Sequence, residues 1–462
     1  MQPADVNTPV VPPPGVRSEI ARELYELGLG LLQADNLKAA RLQFHKARTM
    51  APDFHDASLA LGHCLHELGE YKQALAVYDQ VLIDMPQLYA GWNNRGNTLL
   101  ALCRHDEAAV SYARALELAP KLHDARVALA TCHQAMGRIK EALAACEEVL
   151  AAAPEHAEAH WNRSLLLLLT GEYREGWREY EWRWKKRGFT SPRRDFLQPR
   201  WHGEPASGKT ILIHAEQGFG DTLQFCRYVQ LVAARGLRVI FECHPPLVTL
   251  MESLAGGKVS VVAMGEPLPS FFDLQVPLMS LPLIFDTTLE TIPETVPYLT
   301  PSRERLPHWQ CQIPEKDSLK IGLCWAGKSY PDPGRSCPVE LLAPLAETRG
   351  VSWYSLQTGW KDALPFPMID LTCHIRDFGD TAALISQLDL VITVDTAVAH
   401  LAGALGKPAC LMLPYAPDWR WMLEREDSPW YPTMRLFRQQ KAGDWESVIQ
   451  RIAGFLQPKI LM

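Results

Sequence analysis

The sequence predicts a multidomain protein in which an all-α array of helical repeats precedes an α/β region of two doubly wound lobes. Three observations support this fold class. The chain has 462 residues, which is too many for a single hydrophobic core. Proline recurs every 34 residues in the first third of the chain. Beyond residue 209, short apolar runs alternate with amphipathic stretches, as strands and helices do in parallel sheets.

The composition is typical of a folded cytoplasmic protein and argues against several function classes. The formal net charge of −7 gives no basis for nucleic-acid binding, and we interpret the basic run 183–187 as a solvated helix end. Residues 1–16 lack the regions of a secretion signal and are predicted to be a disordered, proline-rich tail. The longest aliphatic run, 165–169, is far too short for a membrane span. Eleven cysteines without metal-binding spacing indicate reduced cytoplasmic thiols.

Five positions recur in phase with the 34-residue period. A small residue where two helices cross, an aromatic between them and a proline after the second helix describe a helix-turn-helix unit that buries its apolar face by stacking on its neighbours. The recurring residues are Pro52, Pro86, Pro120 and Pro154; Ala40, Ala74, Ala108 and Ala142; Phe44, Tyr78, Tyr112 and Cys146; Leu27, Leu61, Arg95 and Leu129; and Gly28, Gly62 and Gly96.

This pattern resembles the tetratricopeptide repeat (TPR), and we assign residues 17–190 to a TPR superhelix. The segment 176–184 (GWREYEWRW) carries more aromatics than a repeat needs and is predicted to dock the array onto the next part of the chain. The resemblance implies a concave groove that binds a peptide or protein. Asn94, Asn97 and Arg126 are predicted to lie on first helices, where they either reach the backbone of an acceptor peptide or have structural and solvated roles.

The alternation of strands and helices predicts two lobes with parallel sheets, at residues 206–305 and 316–462. The predicted strands are TILIHA, RVIFEC and VSVVA in the first lobe, and KIGLCWAG, VSWYSLQ, DLVITVD, PACLML and RLFRQ in the second. The proline-rich stretch 267–309 is interpreted as the end of the first lobe and a linker. Two such lobes leave a cleft at the carboxyl ends of their strands, where these folds bind ligands.

Two glycine-rich stretches compete as a phosphate-binding loop. Residues 203–210 spell G-x-x-x-x-G-K-T, but they precede a strand, whereas a phosphate loop follows a strand and opens a helix. We interpret them as a linker turn. Gly218 and Gly220, in G-F-G-D, do lie between a strand and a helix, where they allow close ligand approach. Asp221 is then either a helix cap or a catalytic group. The absence of a third glycine argues against a dinucleotide cofactor.

A second candidate site is DLVITVDTAVAHLAGALGKP, residues 389–408. A buried strand brings Asp395 and Thr396 to its carboxyl end, and a helix begins at once with Ala397. The free N–H groups of that first turn, with the Thr396 hydroxyl, form a site for a diphosphate. His400 lies one turn further and either adds a donor or packs between the lobes. The alternative for Asp395 and Thr396 is a simple capping pair.

The second half resembles the bacterial heptosyltransferases, whose GT-B fold pairs two Rossmann-like lobes. With the repeats, the chain is similar to bacterial TPR glycosyltransferases and, more loosely, to the protein O-GlcNAc transferase. The resemblance implies transfer of a sugar from a nucleotide-sugar donor held by the C-terminal lobe, without a metal or other cofactor. The stretches that carry it are EQGFGD (216–221), WAGKSYPDPGRS (325–336), SLQ (355–357) and VDTAVAHLAGALGKP (394–408).

The resemblance also implies roles for single residues. Asp221 matches the general base, and Arg335 lies in the loop that supplies a cation to the donor phosphates. Three departures concern the donor. Ala397 stands where heptosyltransferases commonly have Gly. Lys328 and the stretch SYPDPG replace the Asn and the His-containing loop that follow W-A-G in repeat-containing relatives. Gln357, at a strand end, either contacts the nucleotide or satisfies the backbone. The candidate donor-binding residues are Gly218, Gly220, Lys328, Arg335, Gln357, Asp395, Thr396, Ala397 and His400.

The predicted mechanism is direct displacement with inversion at the sugar carbon. The leaving nucleoside diphosphate gains negative charge, and the sequence has no D-x-D or His/carboxylate cluster suited to a metal. The α-helix dipole, Thr396, Arg335 and Lys328 must then stabilise that charge. Asp221, across the cleft, removes the acceptor proton. Four aromatic residues are expected to pack between the lobes rather than stack on sugar: Trp419, Trp421, Trp430 and Tyr431.

Three functions remain open at this stage. The first is a glycosyltransferase that modifies a protein bound by the repeats, such as flagellin or another surface protein. The second is a transferase with a glycan or lipid-linked acceptor, in which the repeats serve only assembly. The third is a non-catalytic scaffold with a degenerate transferase region, for which Ala397 and the altered loop at Lys328 argue.

Overall fold

The computed structural model describes residues 14–313, 318–328 and 333–460. The chain divides into two compact units, one up to Asn162 and one from Arg163 onward. The first is all-helical and the second is α/β, as predicted. Helix α1 begins at Pro14, so the end of the predicted tail, 1–16, is helical, while residues 1–13 lie outside the described part of the chain.

The first unit consists of antiparallel helix pairs. Its helices are α1 (Pro14–Gln33), α2 (Leu37–Met50), α3 (His55–Glu67), α4 (Tyr71–Asp84), α5 (Tyr89–Ala101), α6 (His105–Leu118), α7 (His123–Ala135), α8 (Ile139–Ala152) and α9 (Ala157–Thr170), of which α9 crosses the boundary into the second unit.

Glycine and aromatic residues fit together within the first three helix pairs, which explains the register seen in the sequence. A methyl carbon placed on Gly62 would lie 2.6 Å from the ring of Tyr78, and one on Gly96 would lie 2.7 Å from the ring of Tyr112. Both rings are buried. The first helix of a repeat must therefore lack a side chain here, because the aromatic of the second helix fills that space.

The second unit contains two all-parallel sheets. Its strands are β1 (Thr210–His214), β2 (Arg238–Cys243), β3 (Val259–Ala263), β4 (Leu274–Pro277), β5 (Leu319–Cys324), β6 (Val351–Ser355), β7 (Ile369–Asp370), β8 (Leu390–Val394), β9 (Ala409–Leu413) and β10 (Met434–Arg438). The first sheet has the order β3-β2-β1-β4 and the second β10-β9-β8-β5-β6-β7.

Helices cover and connect these sheets. The α-helices are α10 (Tyr173–Tyr180), α11 (Phe219–Phe225), α12 (Arg227–Ala234), α13 (Val248–Met251), α14 (Leu281–Ile284), α15 (Leu306–Gln312), α16 (Phe378–Ser386), α17 (Ala397–Ala404) and α18 (Trp445–Ile460). The 3-10 helices span Glu181–Trp184, Pro245–Leu247, Glu252–Leu254, Leu278–Ser280, Pro333–Arg335, Val339–Glu347, Thr372–His374 and Trp419–Trp421.

One stretch of the first lobe differs from the prediction. Residues 267–309 were expected to close the lobe and form a linker, yet they contain β4, which pairs with β1 from Ile211 to His214. Strand β4 has only four residues and ends at Pro277. It is the last strand in the sheet order, and on its outer side Gln275 exchanges backbone hydrogen bonds with Pro199 and Trp201.

The aromatic residues of the segment 173–184 belong to the second unit and pack within it. Tyr173 and Trp177 on α10 are buried. The ring of Tyr173 stacks on Trp430 at 6.0 Å, and the Trp177 ring meets Trp419 edge-on at 5.2 Å. The expectation that the tryptophans after β9 serve packing therefore agrees with the contacts of Trp419 and Trp430.

The interpretation of residues 183–187 as a solvated helix end is wrong for its first residue. The Arg183 side chain is 0% exposed and forms an ion pair with Glu216, which is 1% exposed. A buried guanidinium needs carboxylate partners, and the partner here lies 33 residues further along the chain.

Candidate active site at the junction of the two lobes

The glycine loop places Asp221 at the start of α11, directly after β1. Gly218 is the N-cap residue, and its N–H donates to Oδ2 of Asp221 at 2.8 Å. Asp221 therefore caps the helix, which was one of the two roles predicted for it. Its other oxygen, Oδ1, accepts from the guanidinium of Arg420 in the second lobe. Burial raises the pKa of Asp221 above the usual value for an aspartate, and the charge of Arg420 opposes that rise.

Arg420 is a site residue that the sequence analysis missed. It lies on the 3-10 helix Trp419–Trp421, and its side chain is 9% exposed. Besides Asp221, its guanidinium donates to Oδ1 of Asp418 at 2.9 Å and to Oε1 of Gln224 at 2.5 Å. It thus joins a carboxylate of each lobe. The sequence contains one weak indication of its role. The arginine in PDWRW lies between two tryptophans, which are expected to be buried.

The second lobe contributes the start of α17, directly after β8. Thr396 is the N-cap residue, and its hydroxyl lies 3.3 Å from that of Thr393. The first N–H groups of an α-helix have no partner within the helix. Those of Ala397 and Val398 are available to an anion, whereas the N–H of Ala399 donates to the backbone oxygen of Thr396 at 3.0 Å. Burial and the charge of Asp418 raise the pKa of the neighbouring Asp395 to about 7.

His400 lies in the contact between the lobes. Its Nδ1 is 2.9 Å from the hydroxyl of Tyr431, its ring stacks on Trp421 at 5.4 Å, and its Nε2 is 3.9 Å from Oδ1 of Asp395. Burial lowers the pKa of His400 well below the usual value, so the ring is neutral at pH 7. These contacts favour packing between the lobes as the role of His400. Its Nε2 can still donate a hydrogen bond.

Gly220 allows the two lobes to meet at this point. A methyl carbon on Gly220 would lie 2.7 Å from Cδ2 of His400. We expect Gly220→Ala to force the lobes apart and lower the free energy of unfolding by about 1–3 kcal/mol, because overpacking of a close contact costs this much. Thermal unfolding measures the effect.

Gly218→Ala is the matched control for that substitution. A methyl carbon on Gly218 would meet only Oδ2 of Asp221, at 3.3 Å, and the φ of Gly218 is −95°, which any residue adopts. Its melting temperature should stay close to that of the wild type. Equal melting temperatures for the two variants would contradict the close packing of Gly220 on His400.

Arg335 and Lys328 lie beside the start of α17. The guanidinium of Arg335 donates to the backbone oxygen of Lys328 at 2.9 and 3.2 Å. A methyl carbon on Gly327 would lie 2.9 Å from Nε of Arg335 and 3.3 Å from Cγ2 of Thr396. Arg335 is therefore brought next to Thr396. The middle of the predicted loop, residues 329–332, lies outside the described residues.

Gln357 makes hydrogen bonds to the backbone, which was the alternative to a role in nucleotide binding. Its Oε1 accepts from the N–H groups of Trp325 and Ala326 at 3.2 and 2.9 Å, and from the thiol of Cys324 at 3.4 Å. The carbonyl oxygen thus fixes the chain where β5 ends. A role of Gln357 in nucleotide binding stays a prediction that depends on its amide nitrogen.

The candidate acceptor residues of the repeats are held by contacts within the first unit. The Tyr112 hydroxyl donates to Oδ1 of Asn97 at 2.7 Å. Arg126 forms an ion pair with Glu148 and donates to the backbone oxygen of Pro120 at 3.2 Å. Oδ1 of Asn94 accepts from its neighbour Asn93 at 3.4 Å. Their role in acceptor binding remains a prediction.

A second tetrapeptide FGDT, residues 378–381, was also missed by the sequence analysis. It begins α16 in the second lobe, as residues 219–222 begin α11 in the first. The rings of Phe219 and Phe378 meet at 5.4 Å. Asp380 is buried and paired with Arg305 and Arg376, whereas Asp221 is paired with Arg420.

Comparisons with known proteins agree with this architecture. Residues 31–92 and 99–165 match the family described as "Tetratricopeptide repeat". Residues 371–412 match "Glycosyltransferase family 9 (heptosyltransferase)", a stretch that contains Asp395, Thr396, Ala397 and His400. The chain is 30% identical over 446 residues to protein FlbA of Caulobacter vibrioides, which covers 90% of this chain and 74% of FlbA. This chain belongs to the FlbA family. The resemblance to TPR glycosyltransferases is thereby confirmed.

Other similar proteins match a smaller part of the chain. Human general transcription factor 3C polypeptide 3 is 31% identical over 130 residues, covering 26% of this chain and 15% of that protein. A thermophilic TPR protein of Thermus thermophilus has 19% identity and a TM-score of 0.31, covering 35% of this chain and 88% of the other. PilF of Pseudomonas aeruginosa has 25% identity and a TM-score of 0.33, covering 36% and 76%.

Two further observations concern membranes and metals. Among the described helices, none is both long and apolar enough to cross a bilayer. Within the same described residues, His, Cys, Asp and Glu side chains form no group of three or more that could hold a metal ion.

Proposed function

We propose that this chain is a metal-independent, inverting glycosyltransferase that moves a sugar from a nucleotide-sugar donor to a protein acceptor bound by its repeats. One observation carries the proposal: Asp221 of the first lobe and the start of α17 in the second lobe lie at the same junction. The contact of Gly220 with His400 and the ion pair of Asp221 with Arg420 support this placement.

The donor diphosphate is assigned to the start of α17. The N–H groups of Ala397 and Val398 and the Thr396 hydroxyl provide hydrogen-bond donors, and the helix dipole favours negative charge there. Arg335, next to Thr396, provides a guanidinium that can bind phosphate oxygens in a bidentate manner. Lys328, which is exposed beside it, provides a second cation. Together these groups stabilise the charge that develops on the leaving group.

Arg335→Ala should weaken the binding of nucleoside diphosphates about ten- to hundredfold, because hydrogen bonds to charged groups contribute about 1.5–3 kcal/mol. Isothermal titration calorimetry with a panel of nucleoside diphosphates measures this, since the base is unknown. Arg349→Ala, which removes an exposed arginine elsewhere in the same lobe, should bind like the wild type. Unchanged affinity in the Arg335 variant would contradict the assigned donor site.

The chemical step follows from the position of Asp221. The acceptor hydroxyl attacks the anomeric carbon from the side opposite the diphosphate; the bond from oxygen to that carbon forms as the bond to the phosphate oxygen breaks. The proton of the hydroxyl passes to Asp221, and the nucleoside diphosphate leaves with the bonding electrons. Each oxygen of Asp221 accepts one hydrogen bond, and a carboxylate oxygen has two lone pairs, so capacity for the acceptor remains.

The acceptor is proposed to be a protein, such as flagellin or another surface protein. Intact-mass spectrometry of candidate proteins co-expressed with this chain tests the proposal. A mass increase of one or more sugar residues supports it. If the mass increase is found only in a glycan or lipid fraction, the acceptor is a glycan or a lipid-linked molecule and not a protein. No modified product together with no nucleotide binding would leave a non-catalytic scaffold.

A further inference from the structure

The residues just before the glycine loop are held by the 3-10 helix Glu181–Trp184. Nε and Nη2 of Arg183 donate to the two carboxylate oxygens of Glu216, both at 2.8 Å. The Arg183 side chain is fully buried. Its other hydrogen bonds go to the Ser280 hydroxyl, Oε1 of Glu181 and the backbone oxygen of Tyr180. The guanidinium is thus bonded on every nitrogen, which fixes both its position and its plane.

The next residue of the loop, Gln217, is held by the same segment of the chain. Its amide nitrogen Nε2 donates to the Tyr180 hydroxyl at 2.8 Å, and its backbone N–H donates to the Ser191 hydroxyl at 2.7 Å. Gln217 has a φ of +60°. A residue other than glycine adopts this conformation at a cost, so its surroundings must enforce it. Gly218, the N-cap residue whose N–H binds Asp221, follows immediately.

We propose that Arg183, acting through Glu216, is a positioning residue for Asp221. This inference rests on the proposed function, in which Asp221 is the general base. The planar guanidinium holds the Glu216 carboxylate in a bidentate manner and thereby fixes where β1 ends and the glycine loop begins. Glu216 also accepts from the backbone N–H of Met279 at 3.1 Å, which ties the same carboxylate to the segment after β4.

The geometry requires the planar guanidinium of arginine and not just its positive charge. A lysine keeps the charge but cannot make two parallel hydrogen bonds to one carboxylate. A displacement of about 1 Å in a reacting group can reduce the rate of an enzyme about a hundredfold. The segment that holds the loop comes directly after the repeats in the chain, so the base of the reaction depends on residues outside the two sheets.

The test compares full-length Arg183→Lys and Glu216→Gln with Glu242→Gln as control. Glu242 is also a buried carboxylate of the first lobe paired with an arginine, Arg194, but it lies on β2. For equal amounts of folded protein, we expect both test variants to lose at least tenfold in kcat, with donor KM changed less than about twofold. Glu242→Gln should match the wild type in both constants.

Hydrogen exchange at the amides of residues 217–222, without any substrate, gives a readout that does not depend on activity. Exchange should be at least tenfold faster in both test variants and unchanged in Glu242→Gln. Wild-type kcat and exchange in Arg183→Lys and Glu216→Gln would overturn the inference. If the wild-type chain itself transfers no sugar, the proposed function fails, and the exchange rates still decide whether Arg183 positions the loop.

Discussion

Asp221→Asn should reduce sugar transfer by about 10²- to 10⁴-fold, the usual contribution of a general base. Asparagine cannot accept the acceptor proton, yet its side-chain oxygen can still cap α11 by accepting from the N–H of Gly218. The guanidinium of Arg420 keeps Asp418 and Gln224 as partners. The variant should therefore fold and bind nucleoside diphosphate normally. Initial rates at saturating donor and acceptor measure the effect.

Asp380→Asn is the matched control, because Asp380 occupies the same place in the second FGDT tetrapeptide. Its carboxylate is 1% exposed and pairs with Arg305 and Arg376. Its replacement should cost stability while turnover per folded molecule stays near the wild-type value. A near-normal rate for Asp221→Asn, or equal losses in both variants, would remove Asp221 from the mechanism.

Arg420→Met should lower the free energy of unfolding of the second unit by about 3–5 kcal/mol at pH 7, because the carboxylate of Asp221, which is only 17% exposed, loses its partner. The charge of Arg420 favours the ionised form of Asp221, while burial raises its pKa. Without Arg420 that pKa rises further in the folded state. The stability deficit should then be largest above neutral pH and shrink as the pH falls and Asp221 takes up a proton. Denaturant unfolding between pH 5 and 8 measures it.

Arg425→Met is the control, because it removes an arginine five residues further along the chain. Arg425 pairs with Asp427, and the two side chains are 36% and 67% exposed. Such a pair contributes only about 0–1 kcal/mol. If Arg420→Met were no more destabilising than Arg425→Met, the ion pair between the lobes would have no role in holding them together.

The repeats were predictable because their information is local. The 34-residue period places glycine opposite an aromatic within one repeat, and a contact such as Gly62 with Tyr78 spans only 16 residues of sequence. The strands of the α/β unit were predictable for a similar reason, since apolar runs mark buried strands. Strand β4 was not, because it has only four residues and the prolines around it indicate a loop.

The candidate site was predictable only in part. The start of α17 and the position of Asp221 follow from a strand that leads directly into a helix, which a sequence shows. The partners of Asp221 and Glu216 do not follow, because Arg420 is 199 residues away from Asp221 and Arg183 is 33 residues away from Glu216. Such pairs depend on how the chain folds back, and neither arginine lies in a recognisable motif.

A crystal structure with a bound nucleoside diphosphate tests whether the start of α17 and Asp221 form one active site. The diphosphate should lie against the backbone N–H groups of Ala397 and Val398, with the Thr396 hydroxyl and the Arg335 guanidinium on its oxygens. The terminal phosphate should be directed toward Asp221. A nucleotide bound elsewhere on the chain, or at α17 with its phosphates directed away from Asp221, would contradict the proposed active site.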